Sequence, residues 1–228
     1  MTNVKLNLDN LFGRIERAAQ KSGRTAKDVT LVAVTKQASV PAILEAQQAG
    51  VRIFAENRVQ DAMEKIPQVP GAEWQMVGHL QTNKIKTALN LFNCLQSVDS
   101  IRLAQEINGH LISESRVFPV LLEVNISGEK QKFGFEPDRI YSAVDEIKKL
   151  SQLDVQGVMG IAPNSDDLEV RRAAFKKLRG VFTVLKSMKG ERFQMKYLSM
   201  GMSDDFEVAI EEGSNMVRVG RALFGRKK

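Results

Sequence analysis

Leu31-Val32-Ala33-Val34-Thr35-Lys36 is a short apolar run that closes on a threonine and a lysine. A strand with one wet face alternates apolar and polar residues, whereas an unbroken run belongs to a strand buried on both faces, the habit of parallel sheets. Comparable runs recur at Val51–Ala55, Trp74–Val77, Cys94–Val98, Pro119–Asn125, Val155–Ile161, Gln194–Ser199 and Met216–Val219. Between them lie segments of helical period: Val40–Gln48, Asn57–Ile66, Thr82–Leu91, Ser100–Ile112, Pro137–Leu150, Leu168–Met188 and Ser203–Glu212. Each return to a parallel strand needs a crossover of about a dozen residues or more, so the alternation predicts a parallel sheet. Eight such runs predict closure into an α/β, (β/α)8 TIM barrel, a single domain over residues 1–228 with an extra N-terminal helix at Leu8–Lys21. An open doubly wound sheet is the competing topology.

A chain of 228 residues fits one barrel domain. No apolar stretch approaches the roughly 20 residues of a spanning helix, and Met1–Asn10 lacks a basic segment followed by an apolar one, so a cytoplasmic protein with no membrane partner is expected. One cysteine, Cys94, excludes an internal disulfide framework, and with only His79 and His110 beside it no metal site is expected. The net charge of +6 draws on Arg226, Lys227 and Lys228 and on Arg171, Arg172, Lys176, Lys177 and Arg179. The second group reads as the wet face of an amphipathic helix without aromatic interleaving, which argues against nucleic acid.

Lys36 falls at the C-terminal end of the first run, on the rim where barrels carry their chemistry. Beside low-dielectric walls an ammonium is disfavoured, and the neutral amine can attack a carbonyl. The alternative is a lysine that snorkels out of a strand end. Ser199-Met200-Gly201-Met202-Ser203 follows the seventh run, and Gly220-Arg221-Ala222 follows the eighth and opens a short helix. Together they match the phosphate grip of many barrels, loops after strands seven and eight plus a helix N-terminus. Asp204 and Glu207 have capping-box spacing, and Gly220 alone also suits a tight turn.

Arg218 sits among Met216, Val217 and Val219 in the eighth run, where a buried guanidinium needs an acceptor. A heterocyclic nitrogen would serve; so would a rim carboxylate such as Glu56 or Glu123. Asn57 either donates to a ring oxygen or caps a helix. His79 reads as a structural hydrogen-bonder and Cys94 as a buried apolar residue.

Ala33-Val34-Thr35-Lys36, Ala55-Glu56-Asn57, Val77-Gly78-His79-Leu80-Gln81-Thr82-Asn83-Lys84, Val124-Asn125-Ile126-Ser127-Gly128-Glu129, Leu198-Ser199-Met200-Gly201-Met202-Ser203 and Val217-Arg218-Val219-Gly220 resemble, in this order, the pyridoxal phosphate homeostasis protein family. That family's barrel is similar to the N-terminal domain of alanine racemase. The resemblance implies pyridoxal 5′-phosphate as cofactor, joined to Lys36 as a Schiff base. It implies phosphate held by Ser199 and the Gly220-Arg221 backbone and Arg218 facing the pyridine nitrogen; Met200 and Asn57 are also expected among the cofactor-binding residues. An arginine there leaves the nitrogen unprotonated and weakens the ring as an electron sink. Gln75 stands where the family often has histidine, Arg58 where it often has tyrosine, and Ala55 where it often has glycine.

The resemblance therefore implies a monomeric carrier without catalytic residues that buffers the cofactor and passes it to apoenzymes. A racemase is the alternative; it requires a second proton-transfer group across the ring, and here the sequence offers only Tyr141, on an outer helix, and Tyr197, within the seventh run. In the resembled racemase that group comes from an additional domain, and the expectation of a monomer rests on the chain ending at Lys228 without one. A cofactor-free aldolase shares the fold but needs an acid–base partner beside Lys36.

Overall fold

The computed structural model describes residues 3–129 and 131–225; the expected contribution of Arg226, Lys227 and Lys228 to the charge lies outside them. Eight parallel strands close in sequence order, β1 (Thr30–Val34), β2 (Ile53–Glu56), β3 (Glu73–Met76), β4 (Cys94–Val98), β5 (Phe118–Val124), β6 (Leu153–Gly160), β7 (Phe193–Ser199) and β8 (Met216–Val219). Closure comes from β1 pairing with β8, Ala33 opposite Val219. The barrel expected from the eight apolar runs is thus the observed architecture, and the open sheet is ruled out.

The unbroken run in β1 has its physical reason in the packing. Val32 faces the barrel interior with Ala55, Leu121, Met159 and Met216. Ala33 faces outward into the larger core beneath the helices. Around the barrel run α1 (Val4–Lys21), α2 (Val40–Gln48), α3 (Val59–Lys65), α4 (Ile85–Leu91), α5 (Ile101–Ser113), α6 (Ile140–Ile147), α7 (Leu168–Ser187), α8 (Phe206–Glu211) and the short α9 (Arg221–Phe224). The extra helix α1 starts earlier than expected because Asn3 accepts the Leu6 N–H in its side chain and caps it. It packs on α8 and α9, with Arg14 and Glu207 paired at 2.7 Å.

Several boundaries differ from the sequence expectation for local reasons. Val51 lies in the turn that closes α2, not in β2: Gly50 turns with φ of 107° and the Val51 N–H returns to the Ala46 carbonyl. Helix α3 begins after Asn57, with Arg58 at its N-cap, so Asn57 is not the cap. Helix α8 begins at Phe206; the expected Asp204–Glu207 capping box does not form, and the Asp205 carboxylate instead accepts the Met202 N–H at 2.6 Å.

Candidate functional site

The C-terminal ends of parallel strands share one rim, so Lys36, Asn57, His79, Ser199 and Gly220 are carried to the same mouth by topology. Thr35, fully buried, bonds through its hydroxyl to the Ala55 carbonyl and to Glu56 Oε1, and its N–H also reaches the Ala55 carbonyl. Lys65 reaches back from α3 and donates to the Thr35 carbonyl at 2.8 Å and to Glu56 at 2.6 Å. This clamp fixes the backbone that presents Lys36. The Lys36 side chain itself is exposed in the turn after β1, so the low-dielectric wall expected around it is absent from the described residues. Strand register pairs Val34 with Ala55, so Lys36 and Asn57 each follow two residues after a paired position on neighbouring strands.

Inside the barrel a chain of hydrogen bonds crosses from β3 to β8. Gln75 donates to Glu73, Gln96 donates to the Gln75 carbonyl oxygen, Ser199 donates to Gln96 at 2.7 Å, and Arg218 donates to Ser199 at 2.7 Å and to the Gly160 carbonyl at 2.9 Å. Arg218 is 4% exposed, and burial lowers its pKa to about 10, against the opposing charges of Glu123 and Asp205. Neither carboxylate expected as its partner is in contact with it: Glu56 is taken by Lys65, and Glu123 acts only at longer range. The Ser199 hydroxyl is committed to this interior chain rather than turned toward Gly220, and Met200 is fully buried with its N–H on the Met216 carbonyl.

The loops after β7 and β8 meet as the sequence suggested, although their glycines serve packing first. A Cβ on Gly201, whose φ is 95°, would lie 2.6 Å from the Ala209 Cβ; one on Gly220 would lie 2.9 Å from the Val34 carbonyl oxygen. Gly220 is therefore seated against the strand that leads to Lys36. Among the described residues the N–H groups of Gly220 and Arg221 donate to no acceptor, while the Ala222 N–H reaches Ser203. The Arg221 side chain pairs with Asp204.

These features fit a cofactor with an aldehyde, a phosphate and a ring nitrogen: an exposed amine in the turn after β1, two unengaged N–H groups at the start of α9 after the neighbouring strand β8, and a guanidinium within β8 that has spare donors. Sequence reasoning missed Gln96 and Lys65. Gln96 had a signal, because it lies two positions after Cys94 on the inward face of β4; Lys65, distant in helical sequence, had none.

On the opposite flank His79 Nδ1 lies 2.7 Å from Asp99 Oδ2, and its ring stacks on Phe133 with centroids 3.6 Å apart. The expectation of a structurally satisfied histidine agrees with this geometry. Cys94 is buried in the barrel interior, and burial pushes its thiol up, consistent with an inert apolar role.

The sequence profile of the family described as "Alanine racemase, N-terminal domain" matches residues 6–228. The chain is 37% identical over 235 residues to the pyridoxal phosphate homeostasis protein of Vibrio cholerae, covering 100% of this chain and 98% of that protein. Against the protein of the same name in Escherichia coli it is 35% identical, covering 100% and 98%. Among solved structures, PipY of Synechococcus elongatus with PLP bound superposes with a TM-score of 0.80 at 32% identity, covering 93% of this chain and 100% of that one. Alanine racemase of Clostridium difficile shares the barrel, with a TM-score of 0.73 at 18% identity over 99% of this chain and 56% of its own.

Proposed function

Since the chain belongs to the family of pyridoxal phosphate homeostasis proteins, within the alanine racemase N-terminal domain family, we propose that it binds pyridoxal 5′-phosphate at the barrel mouth and holds it in reserve as a cytoplasmic, single-domain, monomeric carrier. The observation that carries this reading is the seating of Gly220 against β1, which brings the unengaged N–H groups of Gly220 and Arg221 next to the strand that presents Lys36. The cofactor supplies an aldehyde open to reversible capture by an amine and a phosphate that brings its own charge.

Lys36 provides the amine, and its exposure leaves it reachable for exchange. Gly220 and Arg221 offer backbone donors to the phosphate, reinforced by the start of α9. Ser199 holds Arg218 in place through the bond between them, and the buried Met200 carries the backbone on to Gly201. Arg218 stays cationic at neutral pH, since about 10 is still well above it, and therefore donates to a ring nitrogen without yielding a proton. Asn57, just past the end of the neighbouring strand β2, donates to a ring oxygen in this reading.

A carrier is favoured over a racemase because neither tyrosine lies at this mouth among the described residues, and the imidazole that does, His79, is held by Asp99 and stacked on Phe133. Tyr141 packs on the outer core, and Tyr197 packs in the inner cluster two positions before Ser199, deeper in the barrel. The recipients in this reading are apoenzymes that require the cofactor.

The test is an absorption spectrum of the purified protein, then borohydride reduction and peptide mass spectrometry. A cofactor adduct on Lys36 that vanishes in Lys36→Ala is the expected result; an undiminished label in the variant overturns the assignment. Loss of optical rotation in alanine would instead establish the racemase.

A further inference from the structure

Next to the barrel mouth, between the loops that follow β2 and β3, lies a cavity of about 610 Å³, within the roughly 300–1,000 Å³ usual for small-molecule sites. Its wall carries Arg58, Lys84 and His79 together with the amides of Asn57, Gln60 and Gln81, and no carboxylate. The two cations come from different elements. Arg58 is the N-cap of α3, and Lys84 ends the single turn that leads into α4, so they bracket the opening from adjacent strands. Among the described residues neither side chain has an ion-pair or hydrogen-bond partner, which is unlike Lys65, Arg172 or Arg14 elsewhere in the fold.

Asp61, in the first turn of α3, lies outside the cavity lining, and the acids at the ends of β2 and β4 are already engaged. Glu56 is fully buried under Lys65, and Asp99 is held by His79 and by Ser100. Two unneutralised cations facing one space, with neutral amides between them, create a site of net positive potential for a small ligand with two anionic groups. Asn57 lines this cavity and stands at the end of β2, the strand beside the one that leads to Lys36, so a ligand held here lies alongside the mouth. Gly78 makes that junction tight, because a Cβ there would come within 2.2 Å of the Asn57 carbonyl oxygen.

We infer that this cavity is a subsite for a small dicarboxylate, with one carboxylate on Arg58 and the other on Lys84. As a place where such a ligand approaches the cofactor lysine, the subsite rests on the function proposed above; as an anion site it stands on its own geometry.

The probe is glutarate, which has both carboxylates but no amine and so cannot react with an aldehyde. Equilibrium dialysis of the purified full chain at low salt should show saturable glutarate binding. The Arg58→Gln/Lys84→Gln variant should weaken it at least tenfold, with circular dichroism and thermal midpoint unchanged, since both residues are half-buried or exposed. No saturable binding, or binding undiminished in the double variant, overturns the subsite. Inorganic phosphate binding that is tighter than that of glutarate and is weakened by the Arg58→Gln/Lys84→Gln variant overturns the dicarboxylate assignment. Glutarate binding by a protein that is never labelled at Lys36 supports the subsite and sinks the cofactor reading alone.

Discussion

Arg218 on β8 and Ser199 on β7 are joined inside the barrel by a 2.7 Å hydrogen bond from Nη1 to Oγ. The guanidinium is thus held by a hydroxyl and a backbone carbonyl, neither of them charged, so its full charge is still available to a ligand. Arg218→Leu should cost about 1–3 kcal/mol of stability, the consequence of leaving buried acceptors unpaired. It should also weaken cofactor binding at least tenfold and displace its absorption band. Thermal melts beside a spectroscopic titration separate the two effects, and an unaltered affinity and band would refute the ring contact.

Glu123 faces the same interior, and its carboxyl is pushed up to about 7, by burial first and by the charge of Asp99 second, with Arg218 opposing. Between the ordinary 4.5 and about 7 the folded chain therefore holds a proton that the unfolded chain releases. The associated stability is complete below the ordinary value and is lost as pH rises through about 7. Its size is on the order of 3 kcal/mol at most. Asp205, also raised by burial, adds the same sign. Urea midpoints for Glu123→Gln should fall less between about pH 5 and about pH 8 than those of the parent; parallel curves would disprove the buried-acid assignment.

What the sequence disclosed, and what it hid, follows from the range of the forces involved. Strands such as β1 were legible because burial on both faces writes an apolar run directly into neighbouring residues. The rim order was legible too, since topology alone carries Lys36 and Gly220 to one mouth. The partner of Arg218 was not legible, because Ser199 and Gly160 reach it only once β6, β7 and β8 have closed. Local chemistry also misled: Asp204 has cap spacing, but Asp205 is drawn to the Met202 N–H and Asp204 to Arg221, so neither side chain caps the helix.

Lys65 and Glu56 form an ion pair of 2.6 Å whose acid is fully buried. Removing only the cation strands a charge in the interior, which typically costs about 3–5 kcal/mol. Lys65→Met should therefore lower the urea midpoint sharply, and because Lys65 also binds the Thr35 carbonyl, it should loosen the turn that presents Lys36. Adding Glu56→Gln should restore most of the stability. A single variant as stable as the parent would show that the pair is not formed in solution.

Phe133 is 54% exposed yet lies flat on His79, tying the connection after β5 to the rim after β3. The root of that connection is held independently by backbone bonds between Asn125 and Phe135 and between Phe135 and Glu123. Phe133→Ala should consequently spare the barrel and cost only about 0.5–1.5 kcal/mol, the worth of one aromatic contact. Its larger effect should be local: amide exchange in the connection rises, because segments with few buried contacts open most readily. The His79 ring resonances should move at the same time, as the stacked ring current is lost. If exchange and resonances both match those of the parent, the two rings are not stacked in solution and the connection is held by its backbone bonds alone.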